Sequence, residues 1–405
     1  MLKRISGLVI ILLISEVHGI SQIKDIGTPF IRNFSKVEYR AGTQTWSIAQ
    51  DLKGFMYFAN NEGLLVFDGV QWDLHKLPNF SITRSIYIDN KGEIYVGAYN
   101  EMGKMVPGPD GKLKYQSLKN KIPSEYQNFD DVWSISPYQG KIVYQSYNAL
   151  YIYEENKPAI VVKAPSRIPV SYAVSGRVLV NDEKEGLMEL SETSLIPVGG
   201  CEEMRGVNIS SILPFDGSNK LLICTLGKGL YLYDGSVLKA WDIPVNELLM
   251  KDQIFCATTL QNNYFALGTI QDGVLIIDRK GNLVQHINSK KGLQNNTILR
   301  VYSDRAGNLW LGLDNGIDYV TVSSPITFLQ NPDGFGAGYT ELIYKGKLYL
   351  GTNQGLYVCD WKNEKTSSEY RMIPGTFGQV WYLGIHNGVI ICGHNYGTFI
   401  IEGEK

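Results

Sequence analysis

Asn308-Leu309-Trp310-Leu311-Gly312-Leu313-Asp314-Asn315-Gly316-Ile317 is the stretch that decides the fold. An aromatic-aliphatic run ends in a small residue, a few polar residues follow, and Gly plus an aliphatic residue restarts the pattern. Lys347-Leu348-Tyr349-Leu350-Gly351-Thr352-Asn353-Gln354-Gly355-Leu356 repeats it closely. Nine copies run along the chain, with turn positions near Gly63, Gly103, Ala149, Gly186, Gly229, Gly273, Gly316, Gly355 and Gly397. Their mean spacing is about 42 residues, and a period of about 40–50 with several short strands per unit marks a β-propeller blade.

Residues 299–322 read as one blade. Leu299-Arg300-Val301-Tyr302-Ser303 alternates as a strand, and Arg305-Ala306-Gly307-Asn308 turns. Leu309-Trp310-Leu311-Gly312 makes a second strand and Ile317-Asp318-Tyr319-Val320 a third. Period-two alternation bounded by Gly, Asn and Asp turns is the strand signal. A fourth strand is expected to follow, because other copies carry its turn at Asp68, Asp234, Asp278 and Asp360, twice as the hairpin pair Asp-Gly. The small residue of the second strand (Ala59, Gly97, Gly312, Gly351, Gly393) is explained by crowding where blades converge. Gly227-Lys228-Gly229 lacks the following helix that a phosphate loop needs. Helical periodicity is confined to a turn or two at Val245-Asn246-Glu247-Leu248-Leu249-Met250.

The blades fall at 45–75, 82–118, 130–162, 169–198, 208–242, 253–287 and 297–329, then 338–373 and 378–402. The expected fold class is all-β: a seven-bladed propeller of four-stranded blades over residues 22–330, and two further blades of a second propeller over 331–405. Pro325-Ile326-Thr327-Phe328-Leu329-Gln330 echoes Pro29-Phe30-Ile31-Arg32-Asn33-Phe34, as though an outer strand is supplied ahead of each propeller. Two blades cannot close a ring and would leave exposed edges. The chain is therefore expected to be truncated, or else to close as one ring of eight or nine blades.

Bulk properties narrow the function. The 38 basic and 40 acidic residues balance, and basic runs are no longer than pairs such as Lys290-Lys291, so the footprint of a nucleic-acid binder is missing. Lys3 and Arg4 precede an apolar run from Ile5 to Ile14, too short for a bilayer that needs about 20 residues. With Val17-His18-Gly19 as a cleavage region, residues 1–21 read as a secretory signal peptide, which places the mature chain in the periplasm. Cys201, Cys224, Cys256, Cys359 and Cys392 show no disulfide framework and read as small buried hydrophobes. His18, His75, His286, His386 and His394 show no ligand spacing, so no metal site and no cofactor site is assigned.

Asp304-Arg305-Ala306-Gly307-Asn308-Leu309-Trp310-Leu311-Gly312 followed by Asn315-Gly316-Ile317 resembles the two-component regulator propeller repeat of Bacteroidetes sensors. Gly27-Thr28-Pro29-Phe30-Ile31-Arg32-Asn33-Phe34 and Trp46-Ser47-Ile48-Ala49-Gln50-Asp51 are similar to one branch of it, in which two propellers precede a triple-tyrosine domain, a transmembrane helix and a LuxR-type output domain. Residues 169–198 and 208–242 lack the Trp/Tyr-Leu-Gly core. The resemblance implies an extracytoplasmic sensing module of a transcriptional regulator or hybrid two-component system. Membrane attachment and output would then lie in parts beyond these 405 residues, and the intact protein is expected to be a homodimer.

In a propeller the residues starting the first strands rim the channel mouth, here Trp46, Arg84, Trp133, Pro169, Leu299 and Trp381. Loops between second and third strands share that face, giving Asn60, Asn61, Tyr99, Asn100, Glu101, Tyr147, Asn148, Asn353, Gln354 and Asn395. The expected ligand-binding set is Trp46, Arg84, Tyr99, Asn100, Glu101, Trp133, Tyr147 and Asn148, and a small polar ligand such as a glycan suits its aromatic and amide side chains. Turn chemistry and blade packing compete for each of these residues singly. Two alternatives stand beside the sensor: a protein-interaction scaffold, and a glycosidase or lyase using Glu101, Asp131 or Glu183. Nothing links those carboxylates by spacing, so no catalytic residue is assigned.

Overall fold

The computed structural model describes residues 23–402 except 110, 218, 262, 330–333 and 362–369. The expected signal peptide lies outside the described residues. The protein is an all-β propeller structure: the described residues form eight four-stranded sheets and one three-stranded sheet, every strand antiparallel to its neighbours. Among the described residues α-helix is confined to Lys36–Tyr39 and Asn246–Asp252. No helix of the described residues is long and apolar enough to cross a membrane.

Blades 1 to 7 form a ring. Their first strands touch in cyclic order, and Thr45–Gln50 of blade 1 packs against Ile298–Ser303 of blade 7. The seventh sheet takes only three strands from its own stretch of chain. Its fourth is Ile31–Phe34, paired antiparallel with Ile317–Val320. The expectation of a fourth strand after Val320 is thus corrected, because the start of the chain fills that edge and locks the ring. Phe34 is the bolt. It is 1% exposed, stacks on Trp310 at 5.6 Å, and meets Phe67 and Trp72 edge-on. Blades 8 and 9 (338–372 and 380–401) pack on each other around Leu356, Val358, Val380 and Cys392.

Close approach explains the small residues of the second strands. A Cβ on Gly97 would stand 2.5 Å from Val132 of blade 3, and one on Gly312 would stand 2.7 Å from the Thr45 carbonyl of blade 1. On Gly351 it would meet Val380 of blade 9 at 2.6 Å. Gly103 is a different case. The turn of blade 2 lies at Tyr99-Asn100, with Asn100 left-handed at φ 49°, and Gly103 sits inside the following strand. Hairpin carboxylates accept backbone amides as expected of such turns. Asp68 takes Val70 and Gln71, and Asp234 takes Ser236 and Val237. All five cysteines are buried and free of disulfides. Burial pushes the Cys201 and Cys256 thiols up to about 12.

Candidate functional site

A repeated irregularity builds the site. In blades 1, 2, 5, 6, 7, 8 and 9 the ladder between first and second strands slips at the same place, so one residue of the first strand has no direct partner. Those residues are Trp46, Arg84, Ser210, Phe255, Leu299, Tyr339 and Trp381. A bulge turns its extra side chain away from the ladder. The loops between second and third strands lie at the same end of the blades: Tyr99 donates its amide to Ile82, Ile270 to Asp252, Asp314 to Thr297 and Asn395 to Gln379, all just ahead of their own first strands.

Across blades 1 to 3 the projecting side chains meet. The Arg84 guanidinium lies 4.6 Å from the Trp46 ring and 4.7 Å from the Trp133 ring. The two indoles are 5.6 Å apart, edge to face, and Arg84 Nε donates to Asp131 Oδ1 at 2.9 Å. The chain of contacts continues both ways. Trp133 reaches Tyr147 at 6.0 Å, Arg167 caps the Tyr147 ring at 3.8 Å, and Arg167 pairs with Glu183 of blade 4 at 2.9 Å. On the other side Trp46 Nε1 donates to Asn61, Asn61 to Gln44, and Gln44 to Asp314 of blade 7. One continuous arc therefore runs over blades 7, 1, 2, 3 and 4.

The arc is pre-assembled. Arg84 and Asp131 side chains are only 14% and 17% exposed, so their charges serve each other, while Arg167 and Glu183 stand about half exposed. Backbone bonds fix the outer members: Ile168 donates to the Tyr147 carbonyl and Glu183 to that of Arg167. In the middle the Trp133 indole N–H is buried and has no hydrogen-bond partner, an uncommon condition for a buried donor.

Of the eight expected site residues, Trp46, Arg84, Trp133 and Tyr147 are brought together. Tyr99, more than half exposed, forms an isolated bridge with Asp131 beside them. Asn148 is exposed, and its carbonyl takes the Ala164 amide. Asn100 and Glu101 are engaged elsewhere. Asn100 Oδ1 accepts from Lys119 Nζ at 2.8 Å and from the Phe129 amide, and Glu101, 9% exposed, accepts from Ser117 Oγ at 2.6 Å. Arg167 and Gln44 join the arc without any sequence signal, because they sit in links between blades, where the repeat has no register; Asp314 holds the repeat position of Asn353 in a second-to-third-strand loop but was not among the expected rim residues. Away from the arc, a groove of about 510 Å³ lies between blades 1 and 2, lined by residues 74–78, Met105 and residues 113–115. It carries none of the arc residues, and the arc's contacts, not groove size, mark the site.

Residues 292–315 match the two component regulator propeller repeat. Among solved structures the chain is similar to the extracellular domain of BT3049 from B. thetaiotaomicron, designated a hybrid two component system, at 19% identity and TM-score 0.64, covering 92% of this chain and 53% of that one. The extracellular domain of BT4673 from the same organism, likewise designated, is similar at 18% identity and TM-score 0.59, covering 92% and 52%. Virginiamycin B lyase from Staphylococcus aureus shares the fold at 11% identity and TM-score 0.58, covering 72% of this chain and 99% of the lyase. This chain spans about half the length of the two B. thetaiotaomicron domains. No curated protein matches it.

Proposed function

We propose that the chain is an extracytoplasmic ligand-sensing propeller of a membrane-spanning regulator, and that it takes a small polar ligand, best an oligosaccharide, on the arc. The observation that carries this reading is the arc itself: five aromatic and guanidinium side chains in continuous contact on one loop face, with an unpaired indole donor at the centre. Sugar C–H faces stack on Tyr and Trp rings, and sugar hydroxyls suit Asn148, Arg167 and Glu183. Likeness to extracellular domains and the Lys3-Arg4 apolar leader support export of the chain by a signal peptide. The reading is non-catalytic, because Glu101, Asp131 and Glu183 are each bonded to a different partner. On this reading output belongs to other parts of the intact regulator, which acts as a homodimer. Signalling also requires the ligand to bind two arrangements of that regulator unequally.

The test is a thermal-shift screen of glycans, in which ligand at about a hundred times its dissociation constant adds ~2.7 kcal/mol. Hits are expected to be lost in Tyr147→Ala and weakened in Trp46→Ala and Trp133→Ala. Hits that survive all three changes put the site elsewhere.

A further inference from the structure

We infer that the loop face of blade 6 carries a divalent-cation site made by Asp252, Asp272 and His286. A carboxylate oxygen of each aspartate and a ring nitrogen of His286 all lie within 4.8 Å of one another. The ligands come from three elements, which is why no spacing in the sequence reveals them. Asp252 closes the helix Asn246–Asp252, Asp272 stands in the loop between Tyr264–Thr269 and Val274–Asp278, and His286 lies in the fourth strand Leu283–Ile287. Backbone bonds hold these elements together: the Asp252 carbonyl accepts from Ile270 at 3.2 Å and Gln271 at 3.1 Å, and the Thr269 hydroxyl accepts from the Asp272 amide. Asn288 Nδ2 donates to Asp272 Oδ1 at 2.9 Å, while Asp272 Oδ2 stands 3.3 Å from His286 Nε2. An amide orienting a ligand carboxylate in this way is common around bound metals.

Asp252 is the residue that asks for an ion. Its side chain is 3% exposed and its Oδ2 is buried with no hydrogen-bond partner. A carboxylate held out of water without a partner is unfavourable, and a second carboxylate beside it makes matters worse. A divalent cation relieves both. Two carboxylates and an imidazole form a donor set for Zn²⁺ and related first-row ions, whereas Ca²⁺ asks for six or more oxygens. Without an ion, His286 Nε2 donates to the Asp272 carbonyl at 2.8 Å. Ion binding exchanges that hydrogen for the metal and leaves remaining positions to water. The result is a staple on the same face as the aromatic arc, tying helix, loop and outer strand of blade 6.

The experiment is calorimetric titration of ZnCl₂ into the untagged full chain after stripping with chelator. One equivalent is expected to bind, with affinity falling at least about tenfold in Asp252→Asn and His286→Gln and unchanged in His386→Ala on blade 9. Thermal unfolding separates ligation from folding. In chelator, Asp252→Asn should melt no lower than wild type, because it removes an unpaired buried charge, and Zn²⁺ should raise the melting temperature of wild type but not of Asp252→Asn. Wild type loaded with Co²⁺ should show visible ligand-field bands that His286→Gln loses. Zn²⁺ binding equally to wild type and both ligand variants, or failing to bind wild type, overturns the inference.

Discussion

Arg84 ties the middle of the arc together, because its guanidinium lies against both the Trp46 and Trp133 rings and its Nε donates to Asp131. Removing it strips a cation from two ring faces and leaves Asp131 short of a partner in a largely desolvated place. Arg84→Ala is expected to cost about 3 kcal/mol in denaturant unfolding. Arg84→Met with Asp131→Leu should recover much of it, because an apolar pair needs no charge partner. A loss below about 1 kcal/mol would show that solvent screens the pair. Asp234 offers a pH test. The amides of Val237 and Ser236, with the Ser236 hydroxyl, hold its folded-state pKa at about 2. That is below the unfolded value of about 3.9, so ionised Asp234 favours the folded state above pH ~4, and the benefit fades as pH falls towards about 2. Asp234→Asn should therefore melt below wild type at pH 6 and with it at pH 2. A gap equal at both pH values would contradict the turn's ionic character. Trp46, Arg84 and Trp133 were legible because the repeat gives them one register. Asn100 and Glu101 shared that register, yet nearby Lys119 and Ser117 took up their polar atoms.

The blades themselves were the most legible elements, since alternation recurs along the chain and most copies add a turn glycine or a hairpin aspartate. Misreadings arose where tertiary contacts override the repeat. Gly103 looks like a turn glycine, but Asn100 adopts the left-handed conformation two residues after Ala98, and Gly103 instead lies under the Tyr115 side chain. The fourth strand of blade 7 could not be found after Val320 because Ile31–Phe34 supplies it. The leading echo of Pro29–Phe34 hinted at such a strand but not at its partner. This closure has a measurable consequence. Phe34→Ala should cost about 3–5 kcal/mol, as expected of a fully buried aromatic. The double change with Trp310→Ala should cost less than the sum of the two single changes, since the rings share one stack. Strict additivity would mean that the stack contributes nothing to closing the ring.

At the scale of the whole molecule, the same bulge recurs in both sets of blades with different results. In blades 1 and 2 it places Trp46 and Arg84 in a packed arc with Trp133 of the unbulged blade 3, and the central charges there are neutralised; in blades 8 and 9 it yields Tyr339 stacked on Trp381 at 4.5 Å, both well exposed. Periodicity named Trp46, Arg84, Leu299 and Trp381 among the projecting positions but not Ser210, Phe255 or Tyr339, while the contacts between blades that turn such positions into one surface depend on how the ring closes. The metal ligands of blade 6 illustrate the same limit, because helix, loop and outer strand meet only in three dimensions. The central claim is that the arc on blades 7 to 4 is the ligand site. Backbone hydrogen exchange with and without a glycan hit tests it most directly. The account predicts ligand-dependent protection at residues 60–62, 99–100, 131–133 and 147–148, with the outer-strand groove at 74–78 and 113–115 unchanged. Protection confined to that groove, or to blades 8 and 9, would contradict it.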